Sequence, residues 1–187
     1  MSAAASVKGD ERIRLFCALR LPAATVDALV AWQRDEFGDA RGIRVLTAEQ
    51  LHVTLAFLGH RPTEELDAIA GALRQAAAGA EPPLLSVRRY RETRSVGMLA
   101  LDDEDARARA LAGDLHTRLE GLGVYERERR EWLPHVTVIR FRQRPRLHPA
   151  LPELEPFVSS DAAVYLSRLR PGGAQYEVLE SVALGGR

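Results

Sequence analysis

Short runs of the chain alternate apolar and polar positions, and longer runs repeat apolar residues at helical spacing. IRLFCALRL (Ile13–Leu21) reads as a strand, and Pro22 behind it is suited to open a helix. That helix runs to about Phe37, with Val26, Leu29 and Val30 on its apolar side. Gly42–Leu46 reads as a short strand, and Thr47–Gln50, despite capping-box spacing, as a single turn. Leu51–Leu58 is a second long strand that Gly59 is expected to stop. Thr63 is placed to cap a second helix, with Leu66, Ile69, Ala70, Leu73 and Ala77 inward and Gly79 at its end.

Beyond the EPP break, Leu84–Glu92 and Ser95–Leu101 read as two strands. A third helix carries Leu111, Leu115, Leu119 and Leu122 inward and stops at Gly123. Leu133–Phe141 is a strand, followed by a loop punctuated by Pro145, Pro149, Pro152 and Pro156. Ala162–Leu169 and Tyr176–Leu184 flank RPGGAQ and read as a closing hairpin. Long helices and locally pairing strands give an α+β fold with mostly antiparallel sheet. The order hints at a coarse duplication, and no long linker splits it. Residues 1–11 are expected to be a disordered tail and 12–187 one domain.

Composition narrows the function classes. The 187 residues carry 26 basic and 26 acidic side chains, so no global field recruits a polyanion and any such ligand must be held locally. All but one of the basic residues are arginines; an arginine-favouring genome explains that bias better than phosphate chemistry does. Cys17 stands alone in an apolar run, which excludes a disulfide framework and a cysteine metal cluster and points to a buried, inert thiol. There is neither an 18-residue apolar span nor a signal-like N-terminus. A cytoplasmic monomer without membrane contact is the expectation.

Two strands break their own apolar pattern in the same way. LHVTLAFLG and LPHVTVIRF each contain His-Val-Thr, with His52 and Thr54 matched by His135 and Thr137 83 positions later. Residues i and i+2 of a strand share a face, roughly 6–7 Å apart. Each strand thus displays an imidazole and a hydroxyl on an apolar support. Two imidazoles in one cleft suit phosphodiester hydrolysis, one ring taking a proton from water and the other giving one to the leaving oxygen. Threonine hydroxyls can donate to non-bridging oxygens as charge builds. Such a scheme needs no metal or cofactor. The carboxylates of LDDEDAR (Leu101–Arg107) read as helix-start capping residues rather than metal ligands. His60, His116 and His148 read as a turn residue, a helix-edge residue and a loop residue.

The paired His-x-Thr-x motifs resemble those of the two-histidine (2H) phosphoesterase superfamily. RLFCALRLP, LHVTLAFLG, PHVTVIR and the late YLSRL…GGAQY are most similar to its RNA 2′,3′-cyclic phosphodiesterase branch, often labelled 2′-5′ RNA ligase. The resemblance spans Arg14 to about Gly185. It implies two pseudo-symmetric lobes around a central cleft with helices outside, and RNA ending in a 2′,3′-cyclic phosphate as partner. It implies His52 as proton donor, His135 as proton acceptor and a 2′-phosphomonoester product. Arg140 matches an arginine that the family places near the phosphate. Its odd offset from His135 puts it on the wrong face of a regular strand, so a bulge or twist is required. Where the family commonly has a tryptophan, this chain has Met98 and Leu99; no stacking residue is singled out. The alternatives are a 2H enzyme for 2′-5′-linked oligonucleotides or reversible ligation, and a non-catalytic RNA-end binding module.

Overall fold

The computed structural model describes residues 11–185, so most of the expected tail lies outside the described residues. Strand β1 (Arg12–Arg20) leads through Pro22 into helix α1 (Ala23–Phe37). The short β2 (Ile43–Val45) and a 3-10 turn at Ala48–Gln50 precede β3 (His52–Pro62). Helix α2 (Leu66–Ala78) is followed by β4 (Leu84–Glu92), β5 (Val96–Asp103) and helix α3 (Arg107–Gly121). Strands β6 (His135–Phe141), β7 (Phe157–Val158), β8 (Asp161–Arg170) and β9 (Gly173–Ala183) complete the chain.

The strands form one antiparallel sheet in the order β7-β4-β5-β6-β3-β1-β8-β9, with β2 also on β6. The two expected lobes are its halves: β3-β1-β8-β9 on one side, and β6 with β5, β4 and β7 on the other. They meet where β3 and β6 pair at Val53 and Val136. Alternation along β1, β8 and β5 builds much of the core. Leu15, Cys17 and Leu19 of β1, Ala162, Val164 and Leu166 of β8, and Leu99 and Leu101 of β5 point to the helix-covered face. Burial pushes the Cys17 thiol up to about 12, as suits an inert core sulfur.

The helices cross between the halves. Helix α1 follows β1, yet its Gln33 bonds the backbone of β6; α3 follows β5, yet its His116 bonds the backbone of β3. Helix α2 packs against α3, β8 and β9.

Several boundaries differ from the sequence reading. Gly59 does not stop its strand: with φ +68° it sits beside a bulge, and pairing with β1 continues to Pro62. Thr63 makes no side-chain cap; it begins a 3-10 turn (Thr63–Glu65) that runs into α2. Leu122 lies just past α3 and is exposed rather than inward. The proline-rich loop contains the two-residue β7, which pairs with the start of β4.

Candidate active site

The single pairing at Val53 and Val136 organises the site. Both valines are buried in the core, at 0% and 1% exposure, so the residues flanking them face the opposite way. Because the strands are antiparallel, Thr54 falls beside His135 and His52 beside Thr137. A local two-fold through the valine pair therefore relates the two His-x-Thr units. All four predicted side chains are half-buried on one face of the sheet.

The symmetry extends into the backbone. Over seven residues β3 and β6 show the same sequence of half-buried, buried and exposed positions. In each, two consecutive residues are buried: Leu55 and Ala56 in β3, Val138 and Ile139 in β6. The ladders explain this. Ala18 pairs with Thr54 but Cys17 with Ala56, leaving Leu55 unpaired; Met98 pairs with Thr137 but Gly97 with Ile139, leaving Val138 unpaired. These are β-bulges, and each reverses the phase of side-chain alternation. Arg140 consequently returns to the histidine face, which an odd offset on a regular strand forbids. Phe57 is its counterpart in β3.

A bulge interrupts the ladder and leaves a carbonyl that needs another partner. Helix side chains supply the donors. His116 Nε2 donates to the Leu55 carbonyl at 2.7 Å, and Gln33 Nε2 donates to the Val138 carbonyl at 2.7 Å. Leu46 N–H also donates to the Val138 carbonyl. The expectation for His116 changes accordingly: it is 4% exposed and lies beneath the site, stacked on Tyr125. Burial lowers its pKa, while the Leu55 carbonyl acts in the opposite direction. Trp132 Nε1 adds a bond to the Thr54 carbonyl at 3.0 Å.

The two histidines differ in surroundings. His52 packs against Phe16 (ring centroids 4.8 Å apart), Tyr165 and Tyr176, and its Nε2 shares a 3.1 Å hydrogen bond with the Thr54 hydroxyl. Its Nδ1 has no well-formed partner among the described residues. Burial lowers its pKa to about 4; the Gln50 backbone opposes this, and the nearby His135 and Arg140 add to it. His135 instead bonds through Nδ1 to the Leu133 carbonyl at 3.0 Å. A carbonyl only accepts, so Nδ1 carries a proton and, in the neutral ring, Nε2 carries the lone pair.

His52, Thr54, Thr137 and Arg140 border one cavity of about 220 Å³; His135 is not part of its lining. Arg14 and Phe57 also border it. The Arg14 guanidinium lies 4.6 Å above the Phe57 ring centroid and donates to Ser167 Oγ at 2.8 Å. Arg14 was legible in principle, because it shares the period-2 face of Phe16 in β1.

The acidic run performs the capping role expected of it: Asp103 accepts the N–H groups of Ala108 and Arg109 at the start of α3. Asp102 pairs with Arg88, and Asp105 with Arg107. No group of three or more His, Cys, Asp or Glu side chains among the described residues could hold a metal ion.

Comparison with known proteins finds relatives in both sequence and fold. The model of the 2′-5′ RNA ligase superfamily matches residues 19–169. An RNA 2′,3′-cyclic phosphodiesterase of Thermus thermophilus is 33% identical over 93% of this chain and 91% of its own length. An Escherichia coli K12 protein of the same name is 28% identical over 94% of this chain and 98% of its own. The crystal structure of TT0787 of Thermus thermophilus superposes with a TM-score of 0.81 at 29% identity, covering 93% of this chain and 99% of that one.

Proposed function

The chain belongs to the 2′-5′ RNA ligase superfamily, and on that premise we propose that it hydrolyses RNA 2′,3′-cyclic phosphate ends to 2′-phosphomonoesters. The observation that carries this reading is the two-fold pairing of His52/Thr54 with Thr137/His135 about Val53 and Val136. A binding module has no use for two matched proton-transfer groups, whereas ring opening of a cyclic diester needs one of each kind.

In the proposed reaction, the Nε2 lone pair of His135 takes a proton from water as its oxygen attacks phosphorus. The bond from phosphorus to the 3′ oxygen breaks, and His52 gives that oxygen a proton. The 2′ oxygen keeps the phosphate. The Nδ1 bond to Leu133 supports His135 as acceptor. His52 is neutral in the free protein near pH 7, because burial and nearby positive charge hold its pKa low. An anionic phosphate beside it opposes both effects, so substrate binding is accompanied by proton uptake that charges the donor. Thr54 and Thr137 donate to the non-bridging oxygens, and Arg140 supplies the local cation that a neutral chain needs.

The test is to supply an oligonucleotide ending in a 2′,3′-cyclic phosphate and identify the phosphomonoester. A 2′-phosphate is expected, with activity retained in EDTA. The His52→Ala and His135→Ala variants should each lose about 10²–10⁴-fold in kcat. A 3′-phosphate product, or either variant at wild-type rate, contradicts the reading.

A further inference from the structure

The two halves of the sheet flank the histidines with different chemistry. Beyond β3, the cleft face carries Phe16, Tyr165 and Tyr176; Arg20 there pairs with Asp161, and Arg14 is held over the Phe57 ring with its guanidinium donating to Ser167 Oγ. Beyond β6 the face is apolar and then cationic. In β5, Met98 pairs with Thr137 and Ala100 with His135, so both share the catalytic face, while Leu99 turns to the core. In β4, Arg91 pairs with Met98 and Arg89 with Ala100.

Two straight rows therefore cross three strands: Arg91–Met98–Thr137 and Arg89–Ala100–His135. Neighbouring strands lie about 4.8 Å apart, which puts the arginine backbones about 10 Å from β6. Both arginines are exposed, and neither has a carboxylate partner among the described residues. Asp102, the carboxylate on this face of β5, is engaged by Arg88, the bulged residue of β4. From Ser86 onward β4 has no further strand beside it. There the same two arginines border a cavity of about 640 Å³, larger than the catalytic one, together with Arg144, Arg146 and His148. Glu92 is the acid in that wall. Burial alone would raise its pKa, yet it is held low by the Leu147 and Arg146 N–H groups, Arg144 and the Tyr90 hydroxyl. Its charge is thereby satisfied from within.

We propose that this face is an RNA-backbone track. The strand leaves the catalytic pair across Met98 and Ala100, and Arg89 and Arg91 hold the phosphates upstream of the cyclic end. Guanidinium forks suit phosphate oxygens, and the apolar floor accommodates the sugar that separates them. The track rests on the reading of the site as an RNA cyclic-phosphate hydrolase. It makes an oligonucleotide, rather than a free cyclic nucleotide, the favoured substrate class.

The experiment compares wild type with Arg89→Gln/Arg91→Gln on two substrates: a nucleoside 2′,3′-cyclic monophosphate and a ten-nucleotide RNA ending in the cyclic phosphate. For the oligonucleotide, kcat/KM should fall at least tenfold at low salt. Its logarithmic salt slope should flatten by about 1.4, at about 0.7 for each single-strand phosphate that the variant no longer neutralises. For the mononucleotide, kcat/KM should stay unchanged. An equal loss on both substrates, or no loss on either, overturns the track. Should wild type cleave neither substrate, the hydrolase reading fails by itself. The track is then judged by anisotropy with the same RNA bearing a 3′-phosphate, where an unchanged salt slope in the variant overturns it.

Discussion

In His52, burial acts against the proposed role of proton donor. Its ring lies against Phe16, Tyr165 and Tyr176, which fixes its direction but disfavours the charged form that a proton donor requires. The unfolded chain binds a proton at the ordinary histidine pKa of 6.5, whereas the folded protein does so only near 4. Between these values the unfolded state holds more protons, so stability falls as pH falls through this window, by on the order of 3 kcal/mol. His116, also lowered by burial, acts in the same direction. Melting temperature should thus decline from pH 7 to pH 4, and His52→Gln should flatten part of the decline; an unchanged slope in that variant contradicts the assignment. Added phosphate should raise the His52 pKa, which a histidine NMR titration reads directly. The sequence showed this residue and its three companions because each interrupts an apolar strand. It did not show their environments, because Phe16, Tyr165 and Tyr176 reach His52 from β1, β8 and β9.

The bulged strands show where legibility ended. Alternation located β3 and β6, and the odd offset of Arg140 stated that a bulge was needed. Where it lies is settled by partner strands: Val138 is unpaired because β5 pairs on either side of it. Gln33 and His116 were illegible for the same reason, since their acceptors lie 105 and 61 residues away in the chain. If Gln33 holds the bulge that turns Arg140 inward, its effect must pass through that arginine. Gln33→Leu should lower kcat/KM about tenfold in the wild-type background and far less in Arg140→Ala. A double-mutant cycle measures the difference. Equal losses in both backgrounds would mean that Gln33 contributes only general stability.

The crossed helices bear on how the two halves hold together. Each half donates a helix to the underside of the other, while the strands themselves meet at one residue pair. Neither half can then lose its packing without exposing the other's core, and unfolding should be a single transition. Two tryptophans report on opposite sides. Trp32 on α1 bonds the Ala150 carbonyl in the proline-rich loop, and Trp132 bonds the Thr54 carbonyl in β3. Single-tryptophan variants, Trp32→Phe and Trp132→Phe, should show fluorescence and circular dichroism transitions at one common midpoint each; separated midpoints would reveal independently melting halves. The coarse duplication in the sequence anticipated the halves, but not the exchange of helices, because periodicity identifies a buried face without naming the strand it covers.

The central claim is that two histidines in opposite protonation states act on one phosphate across the valine pair. The pH dependence of kcat/KM on a cyclic-phosphate oligonucleotide tests it most directly. A required base sets an acidic limb and a required acid an alkaline limb, so the account predicts a bell-shaped profile. A profile that rises or falls monotonically across the histidine range would contradict it.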